Sequence, residues 1–427
     1  MTGTRHPAST GGRAEAATDA APSSRPGSSN GNLARWALAG AGVVAALVPF
    51  TLMGPGTDLD VGAVLRSGRS ILRDGDYTAS RAPGAPVYEA AVGVLERIGG
   101  TVAPNLGSLI AATLLVALVT ALLRREGVGR VGLTVAVVVA NPWFLVAATS
   151  TVDFLWALAL WAAAALVLRI RSSLVGGAGA GVLAGLAIGC RSSTAFLVAG
   201  LALAELLGSK TPTDTPPKAP RPVVRSGLFA VAAAITALTA YLPPFLAADS
   251  SLAFAQNDVP TSSLLVQVGR FLAKDLYFVG PFAAVVLVVA LPSMARVLGR
   301  WRADWLVRIG AITVVTSQLL FLRFPWKMGH LLPTLVGLAL LLGRAVGDRP
   351  RLLVGIVVAQ LAYCVVSIGL LAPDNPNAAT GAELTFDPRW GALVVDTQCR
   401  LDDPGAWKDP DPTRLGAVWD CAKPWAR

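Results

Sequence analysis

From Val131 to Leu168 the chain carries a single charged residue, Asp153. Built as one helix, this stretch would measure about 57 Å at 1.5 Å per residue, twice the thickness of a ~30 Å hydrocarbon core. The polar break Thr149-Ser150-Thr151, followed by Asp153, therefore predicts a tight hairpin between two spans. The same reasoning applies to 174–208, where Cys190-Arg191-Ser192-Ser193 marks the turn.

Further apolar runs extend the pattern along the chain. Together they lie near 33–53, 106–123, 130–149, 151–168, 174–190, 193–208, 227–247, 277–298, 306–322, 330–346 and 351–372. The expected fold is all-α, a polytopic membrane protein of about eleven transmembrane helices. Composition excludes the soluble alternatives. Hydrophobic residues make up 54% of the chain and charged ones 15%, against about 25% charged in a soluble domain. That charge cannot coat a soluble core of this size. Residues 1–32, rich in Ser, Gly, Pro, Ala and Thr, have no apolar face to bury and are expected to form a disordered cytoplasmic tail. The first span lies too far from the start to be a cleaved signal peptide.

The formal net charge of +10 invites nucleic acid as a partner, but membrane orientation accounts for it. With the N-terminus in the cytoplasm, twenty of the 36 cations face inward with about seven acids, a net +13, and the outer side carries −3. Every short inner loop then holds at least two Lys or Arg, the positive-inside pattern. The outer side receives three long segments, 54–105, 248–276 and 373–427. The last holds Trp390, Trp407, Trp419 and Trp425, with Cys399 and Cys421 as an expected disulfide on the oxidising side. Cys190 and Cys364 read as packing residues. The glycines of Gly176–Gly189 read as a helix-packing face rather than a phosphate loop. Two histidines and no Cys-x-x-Cys pair argue against a zinc site.

Ionisable residues gather at the outer ends of the runs. Asp58 and Asp60 follow the first span; either caps the helix that begins at Val61, or serves as a general base, with room for a divalent cation between them. A carboxylate at a lipid-shielded surface is expected to have a raised pKa. The segment Asp76–Glu89 holds two prolines and a glycine that set a rigid turn, displaying Arg81, Tyr88 and Glu89. Arg81 either grips a phosphate with two donors or pairs with a nearby acid in a structural turn. Arg191 either meets a phosphate or snorkels to the interface. Arg323, Lys327 and His330 either clamp a lipid phosphate or anchor the chain at the interface. Asp153 either caps its helix or lines the cavity. Arg270 and Lys274 read as membrane anchors.

These segments, in this order, resemble the GT-C superfamily of integral-membrane glycosyltransferases. Asp58/Asp60, then Gly75-Asp76-Tyr77, then Ser80-Arg81-Ala82-Pro83-Gly84-Ala85-Pro86 look like the family's first outer loop. Asn141-Pro142-Trp143 with Ser150 and Asp153 resembles its third-to-fourth helix hairpin, and Gly185–Ser193 its Gly-Leu-Ala…Arg segment. Met328-Gly329-His330-Leu331-Leu332-Pro333 is similar to a late Tyr-Leu-Leu-Pro motif, with His330 in place of the Tyr. The resemblance covers about 33–346 and leaves 373–427 as a small extracytoplasmic segment.

The resemblance implies sugar transfer, with inversion, from a polyprenyl-phosphate donor to a cell-envelope glycan, glycolipid or protein acceptor on the outer face of the plasma membrane. It implies first-loop helices lying on the membrane and a catalytic base at Asp60 or Asp58. Tyr77, Tyr88, Glu89 and Asp153 would contact substrate. No cofactor is obligatory, because the leaving group is already a phosphate monoester; Asp58 and Asp60 could bind a divalent cation. The Ala, Gly, Val, Leu and Arg bias suggests a GC-rich genome of the actinobacterial kind, with mannose or arabinose as the sugar. Two other classes compete. A lipid or polysaccharide transporter or flippase would need midplane charges and internal repeats. A non-catalytic envelope scaffold would leave the first-loop acids dispensable.

Overall fold

The computed structural model describes residues 29–58, 60–208, 222–249, 251, 263–325, 327–369 and 387–402. Helix α1 (Ser29–Thr51) leads into two short amphipathic helices, α2 (Asp60–Arg73) and α3 (Pro86–Gly99), and then the long apolar α4 (Val102–Arg125). The stretch 131–168 makes three helices rather than two: α5 (Val131–Val139), α6 (Pro142–Ala148) and α7 (Phe154–Ile170). Next come α8 (Leu174–Cys190), α9 (Thr194–Leu206), α10 (Pro222–Ala247), α11 (Leu264–Val279), α12 (Pro281–Leu298) and α13 (Trp305–Arg323). A 3-10 turn, Met328–Leu331, opens α14 (Leu332–Val346). Helix α15 (Pro350–Val365) continues into strand β1 (Val366–Gly369), which pairs antiparallel with β2 (Asp387–Trp390) before α16 (Ala392–Asp402). The chain divides into two units, Met1–Gly42 and Val43–Arg427, and the helix bundle belongs to the second. Residues 1–28 of the expected tail lie outside the described residues, as do 370–386 and 403–427 of the C-terminal segment.

Each apolar run expected from the sequence contains helix. Five helical segments are long and apolar enough to cross a membrane, α4, α10, α12, α13 and Met328–Val346, or six if the bent pair α5–α6 is one span. The protein is a multi-pass membrane protein. The count of eleven crossings is not reached by length, because α7, α8, α9, α15 and the Leu38–Thr51 part of α1 have 10–17 residues, short of the ~20 that span the core unaided.

Local chemistry explains the breaks. The 74° bend between α5 and α6 falls at Asn141-Pro142. Pro142 lacks an N–H and pushes Asn141 into an extended conformation. The Asn141 side chain accepts hydrogen bonds from the N–H groups of Trp143 (3.0 Å) and Phe144 (3.2 Å), capping α6. It also donates to the Phe278 carbonyl and to Gln360, each at 3.0 Å. The break expected at Thr149–Asp153 lies between α6 and α7, and Cys190–Ser193 separates α8 from α9.

Packing follows the small residues. Gly181 lies against Phe229, Ala232 and Ala233 of α10, and Gly185 against Ala233 and Thr236, so α8 and α10 approach through a small-residue face. On the other side of α10, Val231, Ile235, Leu238, Leu242 and Leu246 are exposed at helical spacing. Such a stripe is stable against lipid and costly against water.

One end of the bundle is closed by ion pairs. Glu126 beyond α4, Arg169 of α7, Glu205 of α9, Arg225 of α10, Asp304 just before α13, Arg308 of α13 and Arg344 of α14 all meet there. Arg169 pairs with Glu126 (2.8 Å), Arg225 with Glu205 (2.9 Å) and Arg344 with Asp304 (2.9 Å). Arg308 donates to the carbonyls of Trp301 (3.1 Å), Ala204 (2.8 Å) and Arg302 (2.6 Å).

Candidate active site

The opposite end carries a second charge network, and it gathers most of the residues singled out in the sequence. After α1 the chain turns through Gly54–Asp58. The Asp58 carboxylate accepts from the Asp60 N–H at 2.8 Å, so Asp58 caps α2 and Asp60 opens it. Helix α2 buries Val61, Val64 and Leu65 and packs on α3, so the loop after α1 folds into two short helices.

The loop from α2 to α3 is fixed by one buried acid. Glu89 (0% exposed) accepts from the Tyr77 hydroxyl, the Ser80 N–H (2.9 Å) and the Ser80 hydroxyl. Burial, then the neighbouring Glu89 carboxylate, pushes the Tyr77 phenol above its ordinary range. With the loop clamped on both sides, Arg81 projects between two helix ends. Its guanidinium donates to Asp60 and to Asp153. The second oxygen of Asp153 pairs with Arg191 at 2.8 Å. Lys327 Nζ lies 2.8 Å from Asp58 Oδ1 and 2.7 Å from Asp60 Oδ2. Arg191 also meets the His330 ring at 3.1–3.3 Å and stacks 3.9 Å above the Phe154 ring.

Three carboxylates and three cations thus form one chain, from Lys327 through Asp58 and Asp60 to Arg81, Asp153 and Arg191. It is graded in depth. The Asp153 side chain is 2% exposed and that of Arg191 12%, whereas Asp58, Asp60, Arg81 and Lys327 are 23–28% exposed. The rim can meet a ligand, and the floor holds the rim in place. Beside the floor lies a cavity with a polar wall of Arg191, Ser193, Thr194, Ser317 and His330 and an apolar wall that includes Phe154, Leu158, Leu197 and Leu320.

Several expectations are corrected by this arrangement. The carboxylate pKa does not rise at Asp60. Burial alone would raise it, but Lys327 and Arg81 together outweigh that penalty and hold the carboxyl well below its ordinary range. The same pairing raises the Lys327 pKa against its own burial. Lys327 Nζ bridges Asp58 and Asp60, the two acids expected to have room for a divalent cation between them. Tyr88 and Glu89 are not displayed on the turn. Pro86 starts α3, which directs both inward, and Tyr88 is fully buried edge-on to Trp156. Asp153 stands at the start of α7 without capping it, since its carboxylate is taken by Arg81 and Arg191. Arg323 is exposed, stacks on Phe324 at 5.0 Å and forms no salt bridge among the described residues. Cys190 and Cys364 are free thiols, Cys399 is disulfide-bonded, and Cys421 lies outside the described residues.

Sequence reasoning missed Phe154, the ring beneath Arg191, and the pair Asp396–Arg400 of α16. Phe154 sits next to an identified acid, which was a usable signal. An Asp and an Arg four residues apart are ordinary on any helix.

No protein-family model matches the chain, and no curated protein matches it in sequence. Two solved structures share its fold. ArnT from Cupriavidus metallidurans bound to undecaprenyl phosphate superposes with a TM-score of 0.56 at 15% identity, over 92% of this chain and 75% of that one. The apo form of the same protein gives 0.52 at 15% identity, over 92% and 76%.

Proposed function

We propose that this protein is a polyprenyl-phosphate-dependent glycosyltransferase of the GT-C type. The observation that carries the reading is the Arg81 bridge, which joins the acid-bearing loop after α1 to the α6–α7 break in an ArnT-like fold. ArnT was solved with undecaprenyl phosphate bound. A lipid-borne phosphate suits a site whose cations stand beside lipid-facing helices.

In the proposed reaction, an acceptor hydroxyl gives its proton to Asp60 or Asp58. The acceptor oxygen forms a bond to the anomeric carbon as the bond from that carbon to the phosphate oxygen breaks, with inversion. The polyprenyl phosphate leaves with its charge stabilised by Arg81, Arg191 and Lys327. Asp60 is a weak base while it is bound by two cations; a donor phosphate that draws Arg81 and Lys327 toward itself raises its basicity. Lys327 supplies the positive charge that a metal would otherwise bring, and no step requires one. We place the site on the outer face, the C-terminal segment with it and the N-terminus in the cytoplasm, because the opposite end holds the Lys- and Arg-rich short loops. The eleven apolar helices would then all be crossings, the short ones lodged in the bundle. The acceptor would be an envelope glycan, glycolipid or protein.

The test is a transfer assay on membranes with labelled polyprenyl-phosphate mannose and arabinose. Wild-type protein should consume one of them, and Asp60→Asn should slow transfer by about 10²–10⁴-fold, the range for loss of a general base. Full activity in both Asp58→Asn and Asp60→Asn, or a donor that is moved across the membrane but never consumed, would overturn the reading.

A further inference from the structure

A buried ion pair on the last described helix lies directly behind the two acid-bearing loops. Arg400 (1% exposed) and Asp396 (5%) pair at 2.8 Å within α16. The Arg400 guanidinium donates to the Phe50 carbonyl in the last turn of α1 (3.2 Å), to the Thr149 carbonyl just past α6 (3.0 Å) and to the Ser150 hydroxyl. Asp396 accepts from the Thr57 hydroxyl at 2.6 Å. Thr57 precedes Asp58, and Ser150 lies three residues before Asp153. One guanidinium therefore grips the ends of α1 and α6, the two helices that lead into the loops bearing the site acids.

The surroundings tighten the same joint. Thr151 N–H donates to the Pro55 carbonyl at 2.8 Å. Asn105 donates to the carbonyls of Thr51 (3.0 Å) and Gly54 (2.6 Å) and accepts from the Thr151 hydroxyl (2.8 Å). Gly56, at φ +117°, lies so close to Ser150 that a Cβ there would sit 2.7 Å from the Ser150 Cβ. A cation placed at two helix C-termini is favoured by their carbonyl charge, and an acid partner offsets the cost of its burial.

We infer that Arg400 and Asp396 are positioning residues for the active site, a brace from the C-terminal segment that sets the separation of the Asp58–Asp60 loop from Asp153. Arg81 spans that separation from the front and Arg400 fixes it from behind. The C-terminal segment is then part of the catalytic scaffold rather than an appendage. The catalytic consequence rests on the glycosyltransferase reading; the mechanical one does not.

The experiment uses the full chain in lipid nanodiscs, with Thr57→Val, Asp396→Asn and Arg400→Lys. Amide hydrogen exchange is followed in 54–60, in 149–153 and, as a control, in 302–308 at the other end. Thr57→Val leaves Arg400 in place and keeps the test valid if the Arg400 variant fails to fold. Each folded variant should exchange faster in 54–60, with Arg400→Lys also faster in 149–153 and the control unchanged. In the transfer assay Thr57→Val should lower kcat about tenfold, since displacements of 1 Å cost up to ~10²-fold, while binding of polyprenyl phosphate holds. Unchanged exchange in both loops, or a uniform rise that includes the control, would overturn the brace. If wild-type protein transfers no sugar, the functional reading falls and the exchange data alone decide the brace.

Discussion

The two ends of the helix bundle are built from the same charged residue types and satisfy them differently. At the closed end, guanidiniums reach backbone carbonyls as well as acids: Arg308 donates to three carbonyls, and Arg225 to those of Arg171 (2.8 Å) and Leu168. At the site end, Arg81 and Lys327 donate only to carboxylates, and Arg191 to a carboxylate and a histidine, among the described residues. A carbonyl locked in a helix end cannot be exchanged for a ligand without unfolding that end. A carboxylate partner can be exchanged for a phosphate, because guanidinium and ammonium groups bind both anions with similar geometry. The first arrangement fastens helices; under the proposed function, the second holds cations ready for a donor phosphate.

Substitutions should separate the two. Asp60→Asn should produce the largest loss of transfer, about 10²–10⁴-fold, with a folded protein that still binds polyprenyl phosphate. Arg308→Gln should reverse the pattern. Leaving three carbonyls without their donor should cost about 3–5 kcal/mol by the precedent of broken buried charge networks, read as a lower midpoint in detergent melts, while the surviving folded fraction keeps its kcat. If Arg308→Gln lowers kcat as strongly as it lowers stability, the division between the ends fails.

Acid should affect the site end through Asp60. Its carboxyl is held below the ordinary value of 3.8 by Lys327 and Arg81, so the folded state binds that proton less readily than the unfolded chain. The stability this contributes is complete above about pH 4 and is lost as pH falls through the lowered value. The melting difference between wild type and Asp60→Asn should be constant from neutrality to about pH 4 and shrink below it. A difference that grows in acid would contradict the ion-pair geometry. Arg323→Gln should do least. Exposed and stacked only on Phe324, it should change transfer by less than about twofold, as surface substitutions usually do.

Much of the site was legible because ionisable residues at the ends of apolar runs are costly unless they are used. That reasoning named Asp58, Asp60, Arg81, Asp153, Arg191, Lys327 and His330, and the structure joins all seven. It also named Arg323, which the same rule cannot tell from Lys327 four residues on; the turn after α13 brings one inward and leaves the other outside. Tyr88 and Glu89 were mistaken for displayed groups because a proline-rich turn was extended two residues into what is the buried face of α3. Arg400 gave no signal, since its importance lies in two helix ends that are remote in sequence.

Hydropathy is local, so the sequence determined which stretches form apolar helices and which ends carry charge. The partition of each segment between lipid and water needs no knowledge of its neighbours. Which charges meet was decided only by tertiary structure. Arg81 and Asp153 are 72 residues apart, and Lys327 and Asp58 are 269 apart. Their pairing depends on how the helices pack and on the Gly56–Ser150 contact and the α16 brace that hold two loops side by side. The same packing turned the expected rise in the Asp60 pKa into a fall, because the pKa follows the cations that the fold brings near rather than burial alone.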